Sequence, residues 1–198
     1  VDSHQRQFDR ELEDLKKKLI HMASIAEAMI DRTVKELVDR DERKADEVPK
    51  FEEELNRSQL EIDELVQTLI ATHQPVAGDL RFLLATVKIN SELERIGDLV
   101  INITENVRTL IQQPELKPLI DIPRMAELAR RMVRESLDAL VRGDVLLAQT
   151  VIMTDDQLDA LKTQILRELL TYMISDPKTI ERALALILIS RHLERIGD

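Results

Sequence analysis

The 198-residue sequence has no cysteine and no tryptophan, and only four glycines, one tyrosine and three phenylalanines. Without cysteine there can be no disulfide, thiol nucleophile, cysteine-ligated zinc or iron–sulfur cluster. Gly78, Gly97, Gly143 and Gly197 stand too far apart for a dinucleotide fingerprint, a P-loop or a nucleophile elbow. The histidines, at 4, 21, 73 and 192, form no zincin pair. None follows a glutamate by three residues, which sets aside the di-iron carboxylate bundles. So few aromatics leave no platform for base stacking. The balance of 28 basic against 38 acidic residues, a formal charge of −10, opposes nucleic-acid binding. The longest apolar run, Ala183 to Ile189, has seven residues, against ~20 for a membrane span. The stretch from Val1 to Gln7 has no apolar segment after a basic start, so no leader is expected. These absences point to a soluble, cytoplasmic protein.

What is present is helical. Leu, Ile, Glu, Arg and Ala dominate the sequence. Leu12, Leu15, Leu19, Met22, Ala26 and Met29 recur at steps of three and four, and the pattern shifts by one position into Ile30, Val34 and Leu37. That predicts one long amphipathic helix, closed by Asp39-Arg40-Asp41. A second helix is expected from about Arg43 to Thr72, with Pro49 in its first turns. His73-Gln74-Pro75 ends it, and Gly78-Asp79 opens a third helix that runs to about Gln112. Asp121 reads as the N-cap of a fourth helix, Gly143 as its stop and Asp144 as the cap of a fifth. Asp176-Pro177 opens a sixth.

The halves resemble each other. Leu-Glu-Arg-Ile-Gly-Asp occurs at 93–98 and again at 193–198, and nine of the sixteen pairs from 83/183 to 98/198 are identical. Upstream, with an offset of 103, Met29 matches Met132, Asp41 matches Asp144 and Ala45 matches Ala148. A duplicated three-helix unit follows. The expected fold is all-α: two tandem, sequence-related three-helix bundles at 1–113 and 123–198, joined by a proline-rich linker at 114–122.

The repeat also carries the candidate chemistry. The third helix has an apolar seam at Ile89, Leu93, Ile96, Val100, Ile103, Val107 and Leu110. Glu94, Asp98 and Glu105 are expected roughly 150° from it at 100° per residue, with Asn102 beside them. The sixth helix repeats the acids as Glu194 and Asp198, and the fifth offers Asp155 and Asp159 at the same spacing. In the second helix Gln59 and Asp63 read as the corresponding pair. Carboxylates four residues apart set hard oxygen donors side by side, which suits Mg, Mn, Fe or Zn ions of divalent or trivalent charge. A solvated acidic face is the plain alternative, given 38 acids in 198 residues, and recurrence within one six-residue string speaks against it. His192 stands beside the second pair, as a packing histidine or a ligand. No nucleophile with an activating base is present.

Gln74-Pro-Val-Ala-Gly-Asp-Leu-Arg81, the two Leu-Glu-Arg-Ile-Gly-Asp strings and Leu170-Thr-Tyr-Met173 resemble the PhoU family over the whole chain. The resemblance implies a cytoplasmic, all-helical homodimer without enzymatic activity. Such a protein works with the ATPase subunit of the high-affinity phosphate ABC transporter and a phosphate-sensing histidine kinase, and meets the membrane only through them. It would act in phosphate homeostasis as a negative regulator of the phosphate-starvation (Pho) regulon and would restrain uptake. The family's Glu/Asp-x-x-x-Asp motifs bind metal, and the matching residues are Glu94 and Asp98, Glu194 and Asp198, and Asp155 and Asp159. Asp63 matches with its partner replaced by Gln59. The first unit continues past its motif through Asn102 and Glu105, whereas the numbered sequence stops at Asp198, so the second site is expected to be incomplete as given. The alternatives are a metal-dependent enzyme on phosphorylated substrates, an accessory of another phosphate transporter, and a metal-free helical scaffold.

Overall fold

The computed structural model describes the backbone of residues 3–198 and the side chains of 6–198. Val1 and Asp2, within the stretch read for a leader, and the side chain of His4 lie outside the described residues. Among those residues there are six α-helices and no strand: α1 (Ser3–Asp39), α2 (Val48–His73), α3 (Ala77–Ile111), α4 (Asp121–Arg142), α5 (Val145–Ser175) and α6 (Ile180–Gly197). Helices α1, α2 and α3 pack on one another, as do α4, α5 and α6. The two bundles lie side by side, with α1 against α4 and α3 against α6, so α2 and α5 are the outer helices. No helix is long and apolar enough to cross a membrane among the described residues.

This double packing explains the one-position shift in α1. A helix with neighbours on one side buries a single stripe. Here α1 buries Leu15, Leu19, Met22, Ala26 and Met29 and also Ala23, Ile25, Ile30, Val34 and Leu37, because α2, α3 and α4 all press on it. Polar links reinforce the junction. Arg130 Nη1 on α4 donates to Asp31 Oδ1 on α1 at 2.9 Å, and Arg134 Nε donates to Glu27 Oε2 at 3.1 Å.

The breakers act as the sequence suggests, with three differences. Helix α2 begins at Val48 and not near Arg43. A 3₁₀ turn at Glu42–Ala45, capped by Asp41, comes first. Pro49 has no N–H to bond a carbonyl four residues back, so a helix running on from Arg43 would be broken there, and α2 starts with the proline in its first turn. Helix α3 ends at Ile111, where Arg40 Nη2 reaches across from the end of α1 and donates to the Ile111 carbonyl at 2.8 Å. Asp121 is the first residue of α4 and not its cap. Its carboxylate lies 3.8 Å from Lys117 Nζ, and the same buried ammonium pairs with Glu168 on α5. Arg182 Nη1 on α6 donates to Pro114 O at 2.9 Å, so the proline-rich segment is tied down on the second bundle. Gly143 closes α4 at φ 66°, a left-handed conformation that favours glycine. Asp144 Oδ1 then accepts from Leu147 N at 2.9 Å and caps α5. Asp176 caps a short 3₁₀ turn, Pro177–Thr179, that leads into α6.

Candidate functional site

The two repeats superimpose through their glycines. Gly97 on α3 lies against Leu55 on α2, so close that a Cβ would sit 2.5 Å from Leu55 Cδ2 and 3.9 Å from Met29 Cε. Gly197 on α6 lies in the same way on Leu158, with Met132 Cε 3.4 Å from where a Cβ would be. Met29 therefore answers to Met132, Leu55 to Leu158 and Gly97 to Gly197. The offset of 103 that relates α1 to α4 also relates α2 to α5. Asp155 then corresponds to Glu52, Asp159 to Asn56 and Lys162 to Gln59. The expectation that Gln59 and Asp63 are the counterparts is displaced by seven residues. Seven residues is about two helical turns and keeps the same face, so spacing alone could not expose the slip. Carrying the Met29/Met132 offset into α2 would have found it.

On the first face, Glu94 is half-buried, with Asp98 exposed one turn further on. The acids do not lie opposite the core. The buried face of α3 runs through Leu83, Thr86, Asn90, Leu93, Gly97 and Val100. Glu94 is four residues beyond Asn90 and three before Gly97, so it flanks that face at the α2–α3 seam. Burial, followed by the charge of Asp98, raises the Glu94 carboxyl above the usual carboxylate range. Glu52 is half-buried and Asn56 exposed on the facing helix α2. Asn102 Nδ2 donates back to the Asp98 carbonyl at 2.9 Å, and Glu105 is exposed two turns beyond Asp98. Asp63 is engaged elsewhere. It accepts from Asn90 Nδ2 at 2.8 Å, and Asn90 Nδ2 also donates to the Gln59 carbonyl at 2.9 Å, so this polar link ties α2 to α3.

The second face is more crowded. Lys162 Nζ on α5 donates to Asp159 Oδ1 at 2.6 Å and to Glu194 Oε1 on α6 at 2.5 Å. These bonds hold the Asp159 carboxyl below its ordinary range and the ammonium above its own. Asp155 Oδ1 is buried without a hydrogen-bond partner. Desolvation raises the Asp155 carboxyl, and the charges of Asp198, Asp159 and Asp156 add to the effect. His192 is half-buried with Nδ1 unpartnered, and burial together with Arg195 and Arg191 lowers its pKa.

The donor chemistry of both faces fits a hard cation: carboxylates throughout, with the Asn56 and Gln59 amides on the first. The unpartnered Asp155 Oδ1 is an oxygen whose desolvation a cation would offset. Among the described residues, however, no three His, Asp or Glu side chains converge to hold a metal as they stand. A cation would have to draw them together, and on the second face it would compete with the Lys162 ammonium.

Known proteins share this architecture and about a third of its sequence. The family model described as "PhoU domain" matches twice, at residues 19–107 and 122–198. The phosphate-specific transport system accessory protein PhoU homolog of Aquifex aeolicus is 39% identical over 186 residues, covering 94% of this chain and 84% of that protein. Its namesake in Pseudomonas aeruginosa is 35% identical over 194 residues, covering 98% of this chain and 80% of that protein. The crystal structure of PhoU from Pseudomonas aeruginosa superimposes with a TM-score of 0.91 at 35% identity, over 96% of this chain and 92% of that one. PhoU from Streptococcus pneumoniae, at 24% identity and a TM-score of 0.85 over 96% of this chain and 90% of that one, shares the fold.

Proposed function

The chain belongs to the PhoU family, and from that premise we propose that it is an accessory regulator of phosphate uptake, without enzymatic activity of its own. In this reading it docks on the ATPase subunit of the phosphate ABC transporter and on a phosphate-sensing histidine kinase. With phosphate plentiful it represses the phosphate-starvation genes and restrains uptake. It works in the cytoplasm, as a homodimer. The observation that carries the reading is the duplicated unit itself: two PhoU-domain matches span the chain, and both copies keep Leu-Glu-Arg-Ile-Gly-Asp on the face of their third helix.

The metal reading is part of the proposal. Glu52, Glu94 and Asp98, with amide oxygens from Asn56 and Gln59, would hold a divalent or trivalent ion on the first face. Asp155 and Asp198, with Asp159 and Glu194, would do so on the second. The ion would supply positive charge to a surface that is otherwise acidic, so loading would change what that surface attracts. Asp63 and Glu105 are too far along their helices to join the same set. The direct test is co-purification of the tagged chain with the transporter's ATPase subunit from the source organism. Retention of the subunit through a salt wash supports the adaptor reading, and its complete absence under both phosphate-rich and phosphate-poor conditions contradicts it.

A further inference from the structure

We propose that the groove between α5 and α6 is a docking site for an acidic amphipathic helix of a partner protein. The inference rests on the adaptor reading for its purpose, but its chemistry stands on the groove alone. The cavity, about 580 Å³, is lined by the apolar Leu166 and Ile187, by Arg191 and Arg195, and by Lys162 and Glu194, whose charges are paired with each other. The apolar surface continues along both helices. Leu166, Leu170 and Ile174 step by four residues along α5 with exposures of 41%, 43% and 82%. Ile180 and Leu184 precede Ile187 on the returning helix, 40% and 47% exposed. A contiguous apolar strip of this kind, rimmed by charge, marks an interaction surface, and two antiparallel helices make a trough that takes a third helix by its i, i+3, i+4 and i+7 side chains.

The first unit shows that the groove is not a by-product of the fold. The residue that answers to Leu166 is Asp63, and the one that answers to Ser190 is Asn90. Asp63 and Asn90 are hydrogen-bonded at 2.8 Å and stitch α2 to α3 at this level. In the second unit that bridge is gone. Leu166 cannot bond, and the Ser190 hydroxyl donates to the Ile187 carbonyl at 2.8 Å within its own helix. The charges differ in the same direction. Arg191 stands where the first unit has Ser91. Arg95 pairs with Glu92 at 3.4 Å, but the residue answering to Glu92 is His192, so Arg195 has lost that acid. Among the described residues neither Arg191 nor Arg195 has an ion-pair partner, although the chain carries a net charge of −10. Two free guanidinium groups beside an apolar trough select carboxylates on the incoming helix.

The test uses the full chain and two labelled helical peptides of about 20 residues, with leucines at three- and four-residue spacing. One carries glutamates on its flanks and the other lysines. Long-range attraction to so acidic a protein would favour the lysine peptide, so a preference for the glutamate peptide can arise only from local cations. Fluorescence anisotropy is expected to show saturable binding of the glutamate peptide, weakened about tenfold or more by Leu166→Asp and by Arg191→Glu, and unchanged by Ile152→Asp elsewhere on α5. All three positions are exposed, so the variants keep the wild-type melting temperature. Tighter binding of the lysine peptide, no loss in the first two variants, or an equal loss in Ile152→Asp each overturns the proposal. Failure of the chain to retain the transporter ATPase would leave these peptide results standing, so the two readings fail separately.

Discussion

Replacement of Glu36 by glutamine is expected to stabilise the protein at pH 8 and to leave it nearly unchanged at pH 4.5. Glu36 lies on α1 with its side chain 0% exposed, and neither carboxylate oxygen has a hydrogen-bond partner. The counter-charge within reach is Arg108, whose Nε lies 3.9 Å from Oε1, while Asp46, Glu42 and Asp41 in the following turn add repulsion. Burial dominates and pushes the carboxyl from its ordinary 4.5 up to about 7. Below pH 4.5 both the folded and the unfolded chain hold this proton, so the group contributes no slope. Between 4.5 and 7 the unfolded chain releases the proton and the folded chain keeps it, so stability falls as pH rises. Above 7 the loss is complete. A gap of 2.5 pH units between 4.5 and 7, at 1.36 kcal/mol per unit, amounts to about 3 kcal/mol. Glutamine keeps the shape and hydrogen-bonding capacity of the protonated acid and cannot ionise. Urea unfolding of both proteins from pH 4.5 to 8, followed by helical circular dichroism, gives the difference directly and cancels every other titrating group. A difference in stability that stays flat across this range would refute the reasoning, because a pKa common to both states gives no slope.

Three further outcomes are expected. Gly97→Ala gains about 1 kcal/mol of helix propensity but drives a methyl to 2.5 Å from Leu55 Cδ2, an overpacking cost of ~1–3 kcal/mol. It should therefore lower the melting temperature, and a raised one would show that Leu55 gives way freely. Asp144→Ala removes the bond to Leu147 N at the start of α5 and should cost about 1 kcal/mol in denaturant unfolding, whereas no change would mean that the cap is not made. Glu94→Ala with Asp98→Ala should lower the metal retained per chain in elemental analysis and abolish any rise in melting temperature on adding divalent ions, and unchanged metal content would remove these residues as ligands.

The helices and the duplication were legible because both rest on apolar spacing and identity. What stayed hidden has specific causes. On α3, Thr86, Asn90 and Gly97 are buried. A reading that counts only apolar residues leaves them out, which rotates the inferred core away from Glu94 and sets the acids on the far side. On α2, the slip from Glu52 and Asn56 to Gln59 and Asp63 preserves the helix face, and the contact of Gly97 with Leu55 fixes the register. Lys162 was invisible as a site residue because its partners Asp159 and Glu194 lie on two helices. Glu36 was invisible because it stands in a core position beside Leu37, where a charged residue is read as solvent-facing. Its counterpart in the second unit is Ala139, so the repeat gave no warning of it.

The most direct test of the regulatory claim is made in the source organism. Deletion of this gene, with alkaline phosphatase assayed in phosphate-rich medium, is expected to give high activity that the wild-type gene returns to low. Normal repression in the deletion strain would contradict the claim, leaving the chain a PhoU-fold protein with a different task.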